Sequence, residues 1–321
     1  MAELQEIAGS VPPAEQQTGW ATGRPSSRVA VVAGIAGRHA TWRCMNIMKV
    51  FISVDMEGIT GVSVSAHVNS AESDYQRFRK LMTRDVNAAI EGAIEAGATG
   101  FVVNDSHGPM TNILIEELHN DARLISGNKK HLGQMEGIGK DFDLVFLVGY
   151  HDREGSYDAV LNHSFYGRMV LEIRCNGEPM GEAAVNAGAA GHFGVPIGLV
   201  TGDNLVCADA AKRFTGVETA VVKDAISRFS ACSLTPAQSQ TLIRQRAKAA
   251  VEKAASLVPY RIKTPVTFEV DFKSTAEAYA CDVFPELKRT GPRTIAFSAV
   301  DYLTAYKILW GVFNLGASAT R

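Results

Sequence analysis

Long apolar runs are missing from this 321-residue sequence, and so is any marked excess of charge. Without a run of roughly 20 apolar residues there is no membrane-spanning helix. A formal net charge of −2, from 32 basic and 34 acidic residues, leaves no electrostatic footprint for a nucleic-acid or anionic-membrane partner. Cysteine is sparse: Cys44, Cys175, Cys207, Cys232 and Cys281 are odd in number, scattered, and form no CxxC pair. They read as free thiols in a reducing cytoplasm rather than as a disulfide framework or thiolate metal ligands. No glycine-rich phosphate loop of dinucleotide or Walker type is present, which argues against nucleotide binding. No nucleophile elbow frames Ser106, which argues against a serine hydrolase.

What remains is a chain of ordinary composition, 46% hydrophobic and 21% charged, long enough for one large domain or two smaller ones. Residues 1–47 differ from the rest. They hold Ala, Gly, Pro, Gln and Arg with one short apolar patch, Val29-Ala30-Val31-Val32, and acidic Glu3 and Glu6 where a signal peptide would be basic. They read as a disordered or misassigned extension, with a transit-type targeting segment as the alternative. Residues 48–230 follow as an α/β domain and 231–321 as a C-terminal α+β subdomain.

Residues Val50–Val54 form an apolar run that predicts a buried strand, ending in Asp55-Met56-Glu57-Gly58. A long helix over about Ser73–Ala96 shows apolar positions at helical spacing, with Gly97 suited to the left-handed position after it. A second strand, Phe101-Val102-Val103, ends in Asn104-Asp105-Ser106-His107-Gly108, and a third, Leu144–Val148, ends in Gly149-Tyr150-His151. Strand–helix–strand order implies parallel neighbours joined by right-handed crossovers. Helices are also expected over about Asn112–Asn120 and Leu132–Ile138. Asn176-Gly177 marks a hairpin whose return strand meets Gly181-Glu182 at the start of an Ala-rich helix. Beyond Thr235-Pro236, a helix start, come strands over Val266–Phe272 and Thr294–Val300 and a C-terminal helix capped by Asp301. The expected fold is α/β: a mostly parallel sheet flanked by helices, with a smaller α+β C-terminal part.

In open parallel sheets, ligands bind outside the carboxyl ends of the strands, and the polar clusters all lie there. Asp55 and Glu57, two apart on an extended chain, project to one side, where they repel unless a cation lies between them. Asp55, Glu57, His107, His151 and Glu182 are more ligands than one open zinc site needs. They suit two metals ~3.5–4 Å apart with a shared carboxylate, the arrangement that activates water for hydrolysis. His163, in Asn162-His163-Ser164, suits proton transfer, oxyanion stabilisation or direct attack. The plainer readings are a solvated acidic turn for Asp55 and Glu57, electrostatic favouring of a helix N-terminus for Glu182, an Asx turn for Asp105, an N-cap turn for Asp203-Asn204, and packing for Tyr150. Asp105 also suits orientation of a ligating histidine, and His67 lies in the loop after the acidic pair.

From Met48 nearly to its end, the chain resembles the zinc-dependent D-aminopeptidases of the dipeptide-transport operon type. The resemblance rests on S-V-D-M-E-G (Ser53–Gly58), N-D-S-H (Asn104–His107), G-Y-H (Gly149–His151), N-H-S (Asn162–Ser164) and G-E (Gly181–Glu182), in that order. It implies two Zn2+ per subunit held by Asp55, Glu57, His107, His151 and Glu182, with Asp55 bridging and His163 as the catalytic side chain. It implies a ring-like homo-oligomer, a decamer, with sites facing an internal cavity. The activity so implied is removal of the N-terminal residue from short peptides, D-amino-acid peptides above all, by a hydroxide on the dinuclear zinc centre. A related metallo-amidohydrolase, an L-aminopeptidase, and a metal-binding module without turnover are the alternatives.

Overall fold

The structure is a computed structural model that describes residues 48–319; the expected N-terminal extension, with its apolar patch and Cys44, lies outside the described residues. The apolar run that opens this region becomes β1 (Met48–Val54), whose residues Val50–Val54 are fully enclosed. Parallel strands flank it on both sides, β2 (Ala98–Asp105) and β4 (Leu144–Tyr150). Between β1 and β2 runs α1 (Tyr75–Glu95), and beyond β2 lies the short β3 (Ala122–Ile125). Gly97 closes α1 with φ +97°, the left-handed conformation that glycine adopts without cost.

After β4 the chain forms a small antiparallel hairpin, β5 (Val170–Cys175) and β6 (Glu178–Pro179), and then α2 (Glu182–His192). It returns through β7 (Ile197–Asp203), α3 (Asn204–Arg213), β8 (Glu218–Ser227), β9 (Ser230–Ser233) and α4 (Pro236–Glu252). The final elements are β10 (Val266–Phe272), α5 (Thr275–Cys281), β11 (Lys288–Arg289), β12 (Thr294–Ala299) and α6 (Tyr302–Ser318).

Two sheets result. The first has seven strands in the order β3-β2-β1-β4-β7-β8-β9, all parallel except β9. The second has five antiparallel strands, β11-β12-β10-β5-β6, taken from both sides of residue 230. The pleat of β1 sends Val50, Ile52 and Val54 into one core with α1 and α4, while Phe51 enters the other with α2, α6 and the second sheet. A parallel sheet covered on both faces follows from a strand apolar at every position. Among the described residues no helix is long and apolar enough to cross a membrane.

Two expected helices do not form. In 112–120 the backbone groups that would build a helical ladder go to side chains instead. The Leu114 amide donates to Thr83 Oγ1, the His119 amide to Asn87 Oδ1, and the Glu117 carbonyl accepts from Asn87 Nδ2. Side-chain bonds from α1, about thirty residues away, thus take the place of a helical ladder. In 132–138 only a single 3-10 turn forms, Gly133–Met135. There the Gly133 carbonyl accepts from Asn104 Nδ2 and the Gln134 carbonyl from Ser53 Oγ. Conversely, β8 and β9 occupy a stretch the sequence reading left unassigned. The later elements match expectation, including the Thr235 capping box and the Asp301 cap.

Glycines set how closely β1 and β4 meet at their ends. The Gly58 amide donates to the Gly149 carbonyl at 2.8 Å. A Cβ on Gly58 would lie 2.0 Å from the Tyr150 carbonyl oxygen, and one on Gly149 2.3 Å from that of Asp55. Both partners are backbone and cannot swing aside. Gly58→Ala is therefore expected to lower stability by about 3 kcal/mol, the upper end of overpacking costs, read as a fall in the denaturant midpoint. A midpoint equal to that of the parent would show that the strand ends are not in fixed contact.

Candidate metal centre

Because β2, β1 and β4 are parallel neighbours, their carboxyl ends reach the same level: Val54 pairs with Asp105 on one side and Val148 on the other. Asp55 and Glu57 follow β1, His107 follows β2, and His151 follows β4. Glu182, the first residue of α2, arrives from the hairpin of the second sheet. His163 comes from the loop between β4 and β5. Asp55, Glu57, His151 and Glu182 are buried, and His107 and His163 are partly so. Their potential ligand atoms form two groups, Asp55–Glu57–His107 and His151–His163–Glu182, each within 4.8 Å. All five predicted ligands and the predicted catalytic histidine are brought together, and His163 lies in the second group itself.

Each imidazole is tied by one nitrogen to a backbone carbonyl, which can only accept. His107 Nε2 donates to Val68, His151 Nδ1 to Asp152 and His163 Nδ1 to Leu161, each at 2.8 Å. The other nitrogen of each ring faces carboxylates. His107 Nδ1 is 3.2 Å from Asp55 Oδ1 and 2.9 Å from Glu57 Oε2. His151 Nε2 is 3.5 Å from Asp55 Oδ2 and 3.2 Å from Glu182 Oε1. His163 Nε2 is 3.7 Å from Glu182 Oε1 and 4.0 Å from Glu57 Oε1. The rings of His151 and His163 stack with centroids 4.1 Å apart. Carbonyl-anchored imidazoles aimed at a common point are the usual support of metal-ligating histidines.

Zinc fits these residues on two observations. His151 Nε2 is buried without a hydrogen-bond partner, although buried polar atoms rarely go unpaired. Tetrahedral zinc with bonds of ~2.0–2.1 Å sets its ligand atoms roughly 3.4 Å apart, close to the 2.9–3.5 Å between the imidazole and carboxylate atoms of the five predicted ligands. Asp55 turns one oxygen toward each group, as a bridging carboxylate would.

Among the described residues no lysine or arginine forms an ion pair with Asp55, Glu57 or Glu182; only histidines do. Burial raises the Asp55 carboxyl, but the facing His107 and His151 imidazoles outweigh it and hold it well below the usual carboxylate range. Glu182 behaves alike: burial raises it, and His151 brings it below its ordinary value. Burial pushes His107 and His151 down, yet the facing carboxylates lift them well above the usual imidazole range, Glu57 and Asp55 for His107, Glu182 and Asp55 for His151. The carboxylates that would hold a cation thus favour the protonated form of both rings.

The surrounding residues were less legible. Gln134 was not singled out: its Nε2 donates to Glu182 Oε2, while the Phe165 amide donates to Glu182 Oε1 at 2.6 Å. Asn186 grips Gln134 Oε1 and the Tyr150 hydroxyl, and the latter reaches Ser53. Tyr150 therefore packs and also closes a polar network. Asp105 bonds neither imidazole. Its carboxylate accepts from Asn112 and Ile113, and Asn112 Nδ2 also donates to the His107 carbonyl, so Asp105 holds the backbone of His107 rather than its ring. Asp203 caps α3 as expected and also accepts from the Val160 amide, three residues before His163. His67 stacks on Phe78 and lies in neither ligand group.

Comparison with known proteins gives one consistent answer. A family profile described as D-aminopeptidase matches residues 48–311. A curated D-aminopeptidase of Bacillus subtilis (strain 168) is 34% identical over 266 residues, covering 82% of this chain and 95% of the relative. A solved structure, the Zn-dependent D-aminopeptidase DppA from Bacillus subtilis, described as a self-compartmentalizing protease, is similar with a TM-score of 0.81 and 33% identity. The match covers 84% of this chain and 98% of that one.

The protonated imidazoles predict how zinc and pH combine. A histidine whose folded pKa is raised stabilises the metal-free fold below its unfolded value near 6.5, and that stabilisation is lost as pH rises through the higher folded value. Zinc binds the deprotonated rings. The rise in Tm on adding zinc is thus expected to grow from about pH 6.5 upward. A zinc-dependent rise in Tm that is flat across that range would break the link between these rings and the metal.

Proposed function

The chain belongs to the D-aminopeptidase family, and from that premise we propose that it removes the N-terminal residue of short peptides, D-amino-acid peptides above all. In this reading Asp55, Glu57, His107, His151 and Glu182 would hold two zinc ions per subunit, Asp55 turning one oxygen toward each ligand group. The observation that supports it best is the pair of facing ligand groups, whose three carboxylates form no ion pair with a lysine or arginine among the described residues. Two divalent cations balance that charge and leave room for one more anionic ligand. When bound, the pair supplies a water acidic enough to act at neutral pH and a Lewis acid for the scissile carbonyl.

The chain's own groups account for the rest. His163 carries its hydrogen on Nδ1, bonded to the Leu161 carbonyl, so its Nε2 is the atom that exchanges a proton. That atom faces Glu57 and Glu182 from the partly open side of the site. Nε2 takes a proton as the attacking oxygen forms its bond and returns one to the departing amine. Gln134 and the Phe165 amide occupy both oxygens of Glu182 and fix its rotamer. A ring-like homo-oligomer, expected as a decamer, would limit entry to short peptides, and the DppA neighbour is described as self-compartmentalizing. The free thiols Cys175, Cys207, Cys232 and Cys281 suit a reducing cytoplasm.

Chelation is expected to abolish cleavage of D-alanine amide and added zinc to restore it, with the L-amide cleaved more slowly. His163→Ala is expected to keep its zinc and lose ~10²–10⁴-fold in kcat. Full hydrolytic rate in that variant at unchanged metal content would remove His163 from the chemistry, and faster cleavage of the L-amide would reverse the assigned stereochemistry.

A further inference from the structure

The loop that carries His163 is held in an unfavourable shape. Asp158, Leu161 and Phe165 have φ of +58°, +50° and +54°, a region that non-glycine residues enter at a cost. Val160 and Leu161 are nevertheless buried. A strained loop keeps one shape only where its surroundings determine it, so its partners matter. The Val160 amide donates to Asp203, the Ser164 hydroxyl accepts from the Glu154 amide, and the Phe165 amide donates to Glu182. Those bonds flank the loop. Leu161 and Asn162, just before His163, are held by one residue from far along the sequence, Arg228, through its backbone carbonyl and its side chain.

Arg228 sits at the tip of the β8–β9 hairpin, between Ser227 and Ser230, which pair with each other. Its carbonyl accepts from the Leu161 amide at 2.8 Å. Its guanidinium donates from Nη1 to the Asn162 carbonyl and to Asn162 Oδ1. Asn162 Nδ2 in turn reaches the Ser156 carbonyl at 2.8 Å. One residue thus clamps the peptide on each side of Leu161–Asn162, and the Leu161 carbonyl is the acceptor that anchors His163 Nδ1. The hairpin has a firm base. Lys223 of β8 is buried, and its ammonium donates to the carbonyls of Glu57, Ile59 and Val62, the loop that follows the first two acidic residues of the site.

We propose that Arg228 is a positioning residue for the reaction: through Asn162 and the Leu161 carbonyl it fixes the tautomer and direction of the His163 ring. This rests on the role given to His163 above. Arg228 is 39% exposed at its side chain, so its replacement leaves both cores intact. A lysine at this position keeps the charge but cannot reproduce the guanidinium's several donors.

The experiment compares zinc-loaded parent, Arg228→Ala and Arg228→Lys for zinc content, kcat and KM on D-alanine amide, and the 15N shifts of labelled histidine, with His163→Gln assigning the His163 signal. Arg228→Ala is expected to keep its zinc and its KM, lose 10–100-fold in kcat, as loss of a supporting partner typically costs, and give a His163 signal averaged between tautomers. Arg228→Lys should fall between Arg228→Ala and the parent in both readouts. An Arg228→Ala protein with parental kcat and parental His163 shifts overturns the proposal. So does one that loses rate together with zinc while the His163 shifts stay parental, because Arg228 then acts only on the fold. If the parent cleaves no aminoacyl amide, the proposed function fails, and the His163 shifts alone decide the role of Arg228.

Discussion

Three buried carboxylates facing the free nitrogens of carbonyl-anchored imidazoles set the terms for the rest of the molecule. Left alone, Asp55, Glu57 and Glu182 would repel one another in a low-dielectric pocket, and burial alone would drive protons onto them. His107 and His151 counter this: the facing carboxylates lift both imidazoles well above their usual range, and the imidazoles in turn hold Asp55 below its own. That arrangement is a site prepared for cations, because a cation replaces ring protons without moving the anchored rings. Each anchoring carbonyl, from Val68, Asp152 and Leu161, removes one of the two ways a ring could turn.

The fold supplies the closeness that this charge pattern needs. Strand ends that meet at backbone distance, with Gly58 against Gly149, set Asp55 beside His151. The second sheet then delivers Glu182 on the first turn of α2, where a carboxylate also benefits from the helix N-terminus. The same geometry that makes the strand ends crowded makes the pocket small enough for ligand atoms from two segments in one group, and from three in the other, to lie within 4.8 Å of one another.

Legibility in the sequence followed the range of the forces involved. Strand interiors showed as apolar runs because a doubly covered parallel strand is apolar at every position. Acidic and imidazole residues at the ends of such runs stood out because nothing in core packing asks for them. The segments 112–120 and 132–138 misled for the opposite reason. Their apolar spacing suits a helix, but their amides and carbonyls are taken by Thr83, Asn87, Asn104 and Ser53, none of which is a local neighbour. Gln134, Lys223 and Arg228 carry no local mark at all. A buried lysine bonded to three carbonyls of the 57–62 loop looks, in one dimension, like any lysine in a strand.

This division between legible and hidden residues has a physical cause. Groups that meet the cation or the substrate must be of a particular chemical type, and type is what a sequence displays. Groups that hold the others in place need only a donor or an acceptor at the right point, and many residue types qualify. The β8–β9 hairpin is the clear case. Through Lys223 it reaches the segment after Glu57, and through Arg228 the segment around His163, each by bonds to backbone carbonyls. A carbonyl contact places the main chain and not a particular side chain, so one edge hairpin can set the spacing between two walls of a site while contributing no atom to the ligand groups themselves.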